Sequence, residues 1–251
     1  MTWETFRLMN YLWMGVAAIA FGYLLFRDAP YGRHVRPGWG PTVDNRFGWV
    51  VMEFTVIVSF LTFFTWNGWP SSGIVTFFAG CFLLHYVNRS LVYPFRLHTT
   101  GKRMPIVIML SAMTFNTVNG FLLGYYFAHF ADYPPNWSRT APFIAGLLLF
   151  LIGMVINWSA DNSLIHLRQP DETNYRIPRG GLFNRISCPN HFGEILEWAG
   201  FSIMTLCLPA FTFLVWTAAN LIPRALAHHR WYRSHFTDYP TERKAIIPYL
   251  F

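Results

Sequence analysis

Long apolar runs alternate with short polar segments along the whole chain. The runs cover residues 9–26, 48–66, 73–93, 106–131, 142–158 and 190–222. A helix needs roughly 20 apolar residues to cross the hydrocarbon core of a bilayer, and the first run is long for the core of a signal peptide. The pattern therefore predicts an all-α integral membrane protein that keeps its first span.

Basic residues are concentrated in every second loop. The loops after the first, third and fifth runs and the C-terminal tail hold most of them, including Arg27, Arg33, Arg36, Arg46, Arg96, Lys102, Arg103, Arg168, Arg176, Arg179, Arg185, Arg230 and Lys244. The loop after the second run has no Lys or Arg, and the loop after the fourth has only Arg139. Since cytosolic loops carry the excess of Lys and Arg, we expect the N-terminus outside and the C-terminus in the cytosol.

The last apolar run must then cross the membrane twice, because the loop before it and the tail after it are both basic. We expect two short helices of about 16 residues each, bent near Leu208-Pro209, where proline removes a backbone hydrogen bond. This interpretation gives seven transmembrane helices. A single long, tilted helix over residues 190–222 is the alternative.

The composition favours a membrane protein over a soluble one. The chain is 53% hydrophobic and 12% charged, whereas soluble domains have about 25% charged residues. Its net charge of +7 lies in loops, where topology and anionic headgroups explain it, so we expect the bilayer as a partner and no nucleic acid. No obligate protein partner is indicated.

Several kinds of site are disfavoured by missing motifs. The three cysteines have no CxxC spacing and the nine histidines form no ligand boxes, so no metal is expected. The chain has neither GxGxxG after a strand nor GxxxxGK[ST]. A nucleotide would therefore not bind on a Rossmann or P-loop fold.

Charged residues inside apolar runs are candidates for function, because they are costly in hydrocarbon. The segment SCPNHFGEILEW carries Asn190, Glu194 and Glu197 at positions i, i+4 and i+7, so an amide and two carboxylates share one helix face. The alternative is that both acids pair with upstream arginines and only anchor the helix.

The second and third runs add an acid and a phenol. Nothing basic lies within four residues of Glu53, and Tyr86 lies near mid-span, deeper than an interfacial tyrosine. A carboxyl group in a low-dielectric site can stay protonated, so the two side chains would offer two O–H donors that polarise a carbonyl. Alternatively, Glu53 reaches the membrane interface from near its helix start.

The fifth run and the loop after it suggest a phosphate site. Asn157, Asp161 and Arg168 return to one side of a helix, and the loop gathers arginines around Gly180-Gly181, namely Arg168, Arg176, Arg179 and Arg185. Guanidinium groups bind phosphate in a bidentate manner, which makes this loop a candidate phosphate cradle. The tail adds His228, His229, Arg230 and Tyr232 just after the last run.

These residues lie in motifs that resemble one known family. The segments NYRIPRGGLFNRISCPNHFGEILEWAGF, LPAF and AHHRWYRSHFTDYPTERKAIIPYLF strongly resemble the C-terminal half of the steroid 5-alpha-reductase family (3-oxo-5-alpha-steroid 4-dehydrogenases). The segments HYVNRSLVYPF, NGFLLGYY and INWSADNSLIHLR also match, so the resemblance extends over most of the chain from about residue 47. It implies a seven-helix membrane reductase, here a microbial homologue, in the bacterial inner membrane or the endoplasmic reticulum.

The resemblance also implies an activity and its residues. NADPH would reduce the 4,5 double bond of a 3-oxo-4-ene steroid, with hydride going to C5 while Glu53 and Tyr86 hold the 3-keto oxygen. The positions that match the surroundings of NADPH are Asn157, Asp161, Arg168, Tyr175, Arg176, Asn190, Glu194, His228 and Tyr232. We expect one membrane domain over residues 1–251, with residues 1–131 around the steroid and residues 142–251 around the cofactor.

One departure from the family and two alternatives remain open. Animal members have Gln-Glu-Leu-Pro where this chain has Met52-Glu53-Phe54-Thr55, which leaves the identity of the steroid open. A related reductase of enoyl-CoA or polyprenol-type substrates would keep the cofactor half. A methyltransferase of the isoprenylcysteine type has a similar C-terminal half, but S-adenosylmethionine has no phosphate for the arginines to bind.

Overall fold

The computed structural model describes residues 1–30, 32–99, 101–167 and 175–250, and helices dominate them. The helices are α1 Trp3–Phe26, α2 Asn45–Phe64, α3 Gly73–Val87, α4 Tyr93–Arg96, α5 Ile106–His129, α6 Ala141–His166, α7 Pro189–Thr205 and α8 Leu208–His235. Strands β1 Thr42–Asp44 and β2 Arg103–Pro105 pair antiparallel, with Val43 opposite Met104. The predicted all-α class is confirmed.

Six stretches of the described chain are long and apolar enough to cross a membrane. They are Trp3–Phe26, Asn45–Phe64, Gly73–Arg96, Ile106–His129, Ala141–His166 and Leu208–His235. Large apolar side chains such as Ile19, Leu148 and Val155 are exposed on them, as expected where lipid replaces water. The protein is therefore a multi-pass integral membrane protein.

The last apolar run is broken where the sequence predicts. Helix α7 ends at Thr205, Leu206 adopts the left-handed conformation with φ 43°, and Cys207 is extended. Helix α8 then begins at Leu208 with Pro209 in its first turn, a position where the missing N–H of proline costs nothing. The break is confirmed, and the single long helix is wrong.

The predicted length of the second of these helices is wrong. Helix α8 has 28 residues and continues through Pro223 to His235, so the tail residues predicted to follow the last span lie on this helix. Its C-terminal half buries Ala225, Ala227 and Tyr232. Burial of these side chains offsets the hydrogen bond lost at the proline.

The chain forms two compact units, and the first contains residues 1–10 and 29–140. Its centre is the contact between α2 and α5. A Cβ atom on Gly124 would lie 2.5 Å from the backbone oxygen of Phe60, so only glycine permits this approach. The amide of Asn116 also donates to the backbone oxygen of Met52 at 2.7 Å. Gly120, one turn before Gly124 on the same helix, also lies close to the backbone of α2.

Helix α3 leads into a π-helical turn, Asn88–Val92, before α4. The hydroxyl of Ser90 donates to the backbone oxygen of Tyr86 at 2.6 Å inside this wider turn. Turns of this type are rare and are frequent at functional sites. The sequence predicts the extent of this span but not the turn that follows its tyrosine.

The second unit contains residues 11–28 and 141–251. Here α6 and α7 run antiparallel, with Gly146 facing Gly200 and Gly153 facing Gly193. A Cβ atom on any of the four would overlap the backbone of the opposite helix. Because the glycines are seven residues apart on each helix, they meet at every second turn and hold the two backbones together.

Candidate active site

The first unit holds the predicted acid and phenol, Glu53 on α2 and Tyr86 on α3, here called the acid–phenol pair. Tyr86 is buried, with 4% of its surface exposed, and Glu53 is half-buried. They lie in the middle of the apolar stretches Asn45–Phe64 and Gly73–Arg96. Neither is at an end of its stretch, which is where a purely interfacial tyrosine would lie.

Two contacts between α2 and the stretch Gly73–Arg96 show where Glu53 and Tyr86 lie relative to each other along the helix axes. Towards one end of the helices, the rings of Phe60 and Phe82 have centroids 4.7 Å apart. Towards the other, Trp49 Nε1 donates to the backbone oxygen of Arg89 at 3.2 Å. The acid lies between Trp49 and Phe60 on α2, and the phenol lies between Phe82 and Arg89. They are therefore at about the same level of two antiparallel helices.

A cationic and aromatic layer lies one turn from the acid–phenol pair. The guanidinium of Arg89 lies 5.1 Å from the ring centroid of Trp49 and 5.0 Å from that of Tyr93. Such cation–π contacts hold a guanidinium in place without neutralising it. The sequence gives no sign that Arg89 lies between the rings of Trp49 and Tyr93.

The second unit brings four predicted cofactor residues together in what we call the α6–α7 polar network. The amide of Asn157 donates to the backbone oxygen of Asn190 at 3.0 Å and lies 3.5 Å from a carboxylate oxygen of Glu194. The amide of Asn190 donates to Asp161 at 3.0 Å. Asn157 and Asp161 are buried, with 2% and 4% of their surfaces exposed.

The glycine contacts explain why this network forms. Since Gly153 and Gly193 let the two backbones touch, the polar residues one turn further along each helix come within hydrogen-bond distance. Of the two acids on α7, Glu194 takes part in the network, and Glu197 is completely buried. Whether they also anchor the helix through upstream arginines stays a prediction.

Three further cofactor candidates lie on or against α8. Tyr232 is 2% exposed and stacks on Tyr239, with ring centroids 5.2 Å apart and planes 7° from parallel. His228 lies 5.7 Å from the ring of His191. Tyr175 packs edge-on against Trp231, 4.9 Å away.

The arginine loop keeps most of its charge on the surface. Arg176, Arg179 and Arg185 are exposed, and Arg179 forms an ion pair with Asp238 at 3.4 Å. Gly180 and Gly181 both have positive φ angles, 91° and 50°, which allow the tight turn between the arginines. Arg168, the remaining predicted member, lies outside the described residues.

The C-terminal tail closes over the start of α7. Ser187 N donates to the backbone oxygen of Lys244 at 2.9 Å, and Lys244 N donates to Arg185 at 3.0 Å. The hydroxyl of Ser187 also hydrogen-bonds with His229 at 2.6 Å and with Tyr239 at 2.7 Å. Neither Ser187 nor Tyr239 is among the predicted site residues. The resemblance of the segment AHHRWYRSHFTDYPTERKAIIPYLF to the family was the only sign that the tail belongs to the site.

The described residues contain no group of three or more His, Cys, Asp or Glu side chains placed to hold a metal ion. Fold and sites together define a multi-pass membrane protein with an acid–phenol pair in one unit. Its other unit holds an amide–carboxylate network beside exposed arginines.

Comparison with known proteins identifies the family to which the chain is similar. A sequence model of the family described as 3-oxo-5-alpha-steroid 4-dehydrogenase matches residues 102–251. Steroid 5-alpha-reductase DET2 of Gossypium hirsutum is 43% identical over 241 residues, 91% of this chain and 90% of that protein. The DET2 protein of Arabidopsis thaliana is 39% identical, with 91% and 90% covered. 3-Oxo-5-alpha-steroid 4-dehydrogenase 1 of Bos taurus is 38% identical, with 96% and 95% covered.

The chain therefore belongs to the steroid 5-alpha-reductase family, as its motifs predict. It is an oxidoreductase that acts on a CH–CH bond. Enzymes of this family generally use a nicotinamide cofactor.

Proposed function

We propose that this protein reduces the 4,5 double bond of 3-oxo-4-ene steroids with NADPH. The observation that carries the proposal is the acid–phenol pair, at one level of α2 and α3 in a chain of this family. A carbonyl is the substrate group that two O–H donors would polarise. The apolar helices of the first unit suit a flat, lipid-like substrate that arrives from the bilayer.

Glu53 and Tyr86 would stabilise the negative charge that develops on the 3-keto oxygen, at a distance from the carbon that accepts the hydride. NADPH, when bound, would supply the hydride for C5, the β-carbon of the enone, and the electron pair of the double bond would move towards the 3-keto oxygen. Glu53, protonated, and Tyr86 donate hydrogen bonds to that oxygen and stabilise the resulting enolate. A proton from solvent or a side chain then completes the reduction at C4.

The donor set of the second unit fits a phosphate-bearing dinucleotide. Amide and carboxylate groups of the α6–α7 polar network match the hydroxyl and carboxamide groups of such a cofactor, and the exposed Arg176 and Arg185 match its phosphates. Asn157, Asp161, Asn190, Glu194, Tyr175, Arg176, His228 and Tyr232 would hold NADPH. S-adenosylmethionine would leave the arginines without a ligand.

We also propose seven transmembrane helices, with the N-terminus outside and the C-terminus in the cytosol. Helix α7 has 17 residues, about 26 Å at 1.5 Å per residue, and would be the seventh span. It is short for a core of about 30 Å. However, a crossing here puts both the arginine loop and the basic tail in the cytosol.

The decisive experiment is incubation of the purified protein with NADPH and testosterone or progesterone, with the product identified by mass spectrometry. We expect the 5α-reduced steroid. Turnover of an enoyl-CoA or a polyprenol-type substrate without any steroid product would refute the proposed substrate class. In parallel, NADPH should raise the melting temperature and S-adenosylmethionine should not; the reverse would indicate the methyltransferase.

A further inference from the structure

The tail segment of residues 246–250 lies beside α8 at the level where that helix leaves the apolar part of its span. Helix α8 carries no charged residue before Arg224. The buried side chain of Ile246 clusters with Ala225, and the partly buried Ile222 packs against this cluster. Since arginine is costly in hydrocarbon, the first one on a span lies near the edge of the hydrocarbon core. The tail therefore reaches α8 at the surface of the bilayer.

From this buried isoleucine the chain turns outward and exposes apolar side chains. The backbone N–H of Leu250 donates to the oxygen of Ile247 at 3.2 Å, which closes a turn over residues 247–250, here called the tail turn. Pro248 and the positive φ of Tyr249, 66°, match the two central positions of a type II turn. Ile247, Tyr249 and Leu250 are 38%, 74% and 76% exposed. Four residues thus present three large apolar side chains on the surface.

The conformation of Tyr249 adds a second observation. A positive φ is uncommon outside glycine, and this turn position normally takes glycine. Strained residues of this kind persist where the position of the side chain matters. Here the ring faces the guanidinium of the exposed Arg185, whose Cζ atom lies 5.3 Å from the ring centroid. Tyrosine beside a basic residue is a combination typical of membrane interfaces.

The charges around the tail turn indicate a lipid surface as its partner. Arg185 and Lys244 are both exposed, and the backbone N–H of Lys244 donates to the oxygen of Arg185 at 3.0 Å, so both cations accompany the turn. Apolar and aromatic side chains next to Lys and Arg favour the boundary between headgroups and acyl chains, especially where the lipids are anionic. The contact of Ile246 with α8 puts this combination at the bilayer surface and not in bulk water.

We propose that the tail turn inserts its three apolar side chains into the headgroup–acyl boundary of the adjacent leaflet, with Arg185 and Lys244 facing anionic headgroups. The residues just before the turn accept hydrogen bonds from the backbone of Ser187 and Cys188, next to the start of α7. The insertion therefore fastens the tail to the membrane as well as to the protein. The inference does not depend on the identity of substrate or cofactor.

The test measures the depth of the tail turn in a bilayer. In the full-length protein, a nitroxide label is attached to Leu250→Cys and, as the matched control, to Thr241→Cys, an exposed polar position of the same tail. The wild type, whose three cysteines are buried, is treated in the same way and supplies the background signal. The proteins are reconstituted into vesicles of phosphatidylcholine and phosphatidylglycerol. EPR power saturation then compares the collision of each label with oxygen, which concentrates in hydrocarbon, and with a water-soluble nickel chelate on both sides.

We expect the label at position 250 to collide with oxygen more often than with the nickel chelate, and the label at position 241 to show the reverse, because only the first lies among acyl chains. The same measurement on Ile247→Cys guards against a local disturbance by the label, and the lipid-like ratio is required there too. A water-like ratio at either position of the turn would overturn the proposal. A label at position 250 shielded from both reagents would also overturn it, since the turn would then pack against protein, such as a second copy of the chain.

Discussion

Glu53 and Tyr86 serve a single oxygen in the proposed reaction, so either substitution should remove most of the catalysis. We expect Glu53→Gln and Tyr86→Phe each to lower kcat for steroid reduction at least roughly 100-fold, the usual cost of losing one donor to a developing oxyanion. The Kd for NADPH should stay unchanged, because the pair lies in the unit that holds no proposed cofactor residue. Steroid turnover and nucleotide binding measured on the same preparations check both statements.

Glu4→Gln is the matched control for this pair of variants, since Glu4 is exposed on α1 and pairs with Arg7, which is also exposed, at 2.7 Å. It should reduce steroid at the rate of the wild type. Loss of NADPH binding in Glu53→Gln would contradict the assignment of the pair to the steroid.

Arg176 should contribute to cofactor affinity and not to the chemical step. We expect Arg176→Ala to raise the KM for NADPH about tenfold with kcat nearly unchanged, because an exposed arginine contributes a charged hydrogen bond in a solvated site. Arg139→Ala, in the loop after α5, removes the same charge from a segment with no proposed cofactor residue. Equal KM values for the two variants would count against the arginine loop as a phosphate cradle.

At the scale of residues, the sequence marks side chains that are out of place in hydrocarbon. Glu53, Asp161 and Glu194 stand out because an acid in an apolar run is costly. Asn116 and Ser187 do not, since amides and hydroxyls are tolerated in membrane helices and loops. Their partners are backbone oxygens on distant segments, which no local pattern reveals.

At the scale of helices, glycine spacing is more informative than the four-residue motif alone. Gly120-xxx-Gly124 is a motif that permits close helix packing, and it lies in the α2–α5 contact. The seven-residue repeats of α6 and α7 were not among the predictions. Positions seven residues apart lie on the same side of a helix, two turns from each other. Glycines that repeat at this spacing on both helices therefore indicate a contact that extends along their length. Such a contact is what places the α6–α7 polar network.

We therefore expect Gly153→Ala to affect both stability and cofactor binding. Its Cβ atom would overlap the backbone of Glu197, and forced separation of the helices should cost about 1–3 kcal/mol. The melting temperature should fall, and the Kd for NADPH should rise because Asn157 moves away from Asn190. Thermal unfolding followed with and without NADPH measures both effects.

Gly80→Ala is the control for that substitution. Gly80 lies on α3 with nothing within 4 Å of the added Cβ, so the variant should be as stable as the wild type or more so. If Gly153→Ala behaves like Gly80→Ala, the close contact of α6 and α7 is not needed.

The C-terminal end of α8 could not be predicted from the sequence. A proline after an apolar run normally marks the end of a helix, and the sequence accordingly places His228 and Tyr232 in a tail. Ala225 and Ala227, which point to different sides of α8 beyond Pro223, are both buried. Tertiary packing therefore decides the boundary, and it also orders the two predicted cofactor residues.

At the scale of the whole molecule, the chain divides into two units that differ in their chemistry. One contains the acid–phenol pair, and the other contains the α6–α7 polar network and the arginine loop. The predicted allocation of steroid to residues 1–131 and cofactor to residues 142–251 stays a prediction. It is consistent with hydride transfer, which needs an apolar site for one ligand and a cationic site for the other.

The break between α7 and α8 provides the test of the membrane topology. If α7 and α8 both cross the bilayer, this break lies on the opposite side from the arginine loop and the C-terminal tail. In a background with the buried Cys81, Cys188 and Cys207 replaced by alanine, single cysteines are placed at Leu206, Arg179 and Thr241, all exposed. In intact cells, a membrane-impermeant maleimide should label Leu206→Cys. Arg179→Cys and Thr241→Cys should react only after permeabilisation, since basic segments stay in the cytosol.

A cysteine at the exposed Thr2 should behave like the one at Leu206, because an odd number of spans separates each of them from the tail. Labelling of Leu206→Cys only after permeabilisation would show that α7 does not cross the bilayer and would leave the six long helices as the spans.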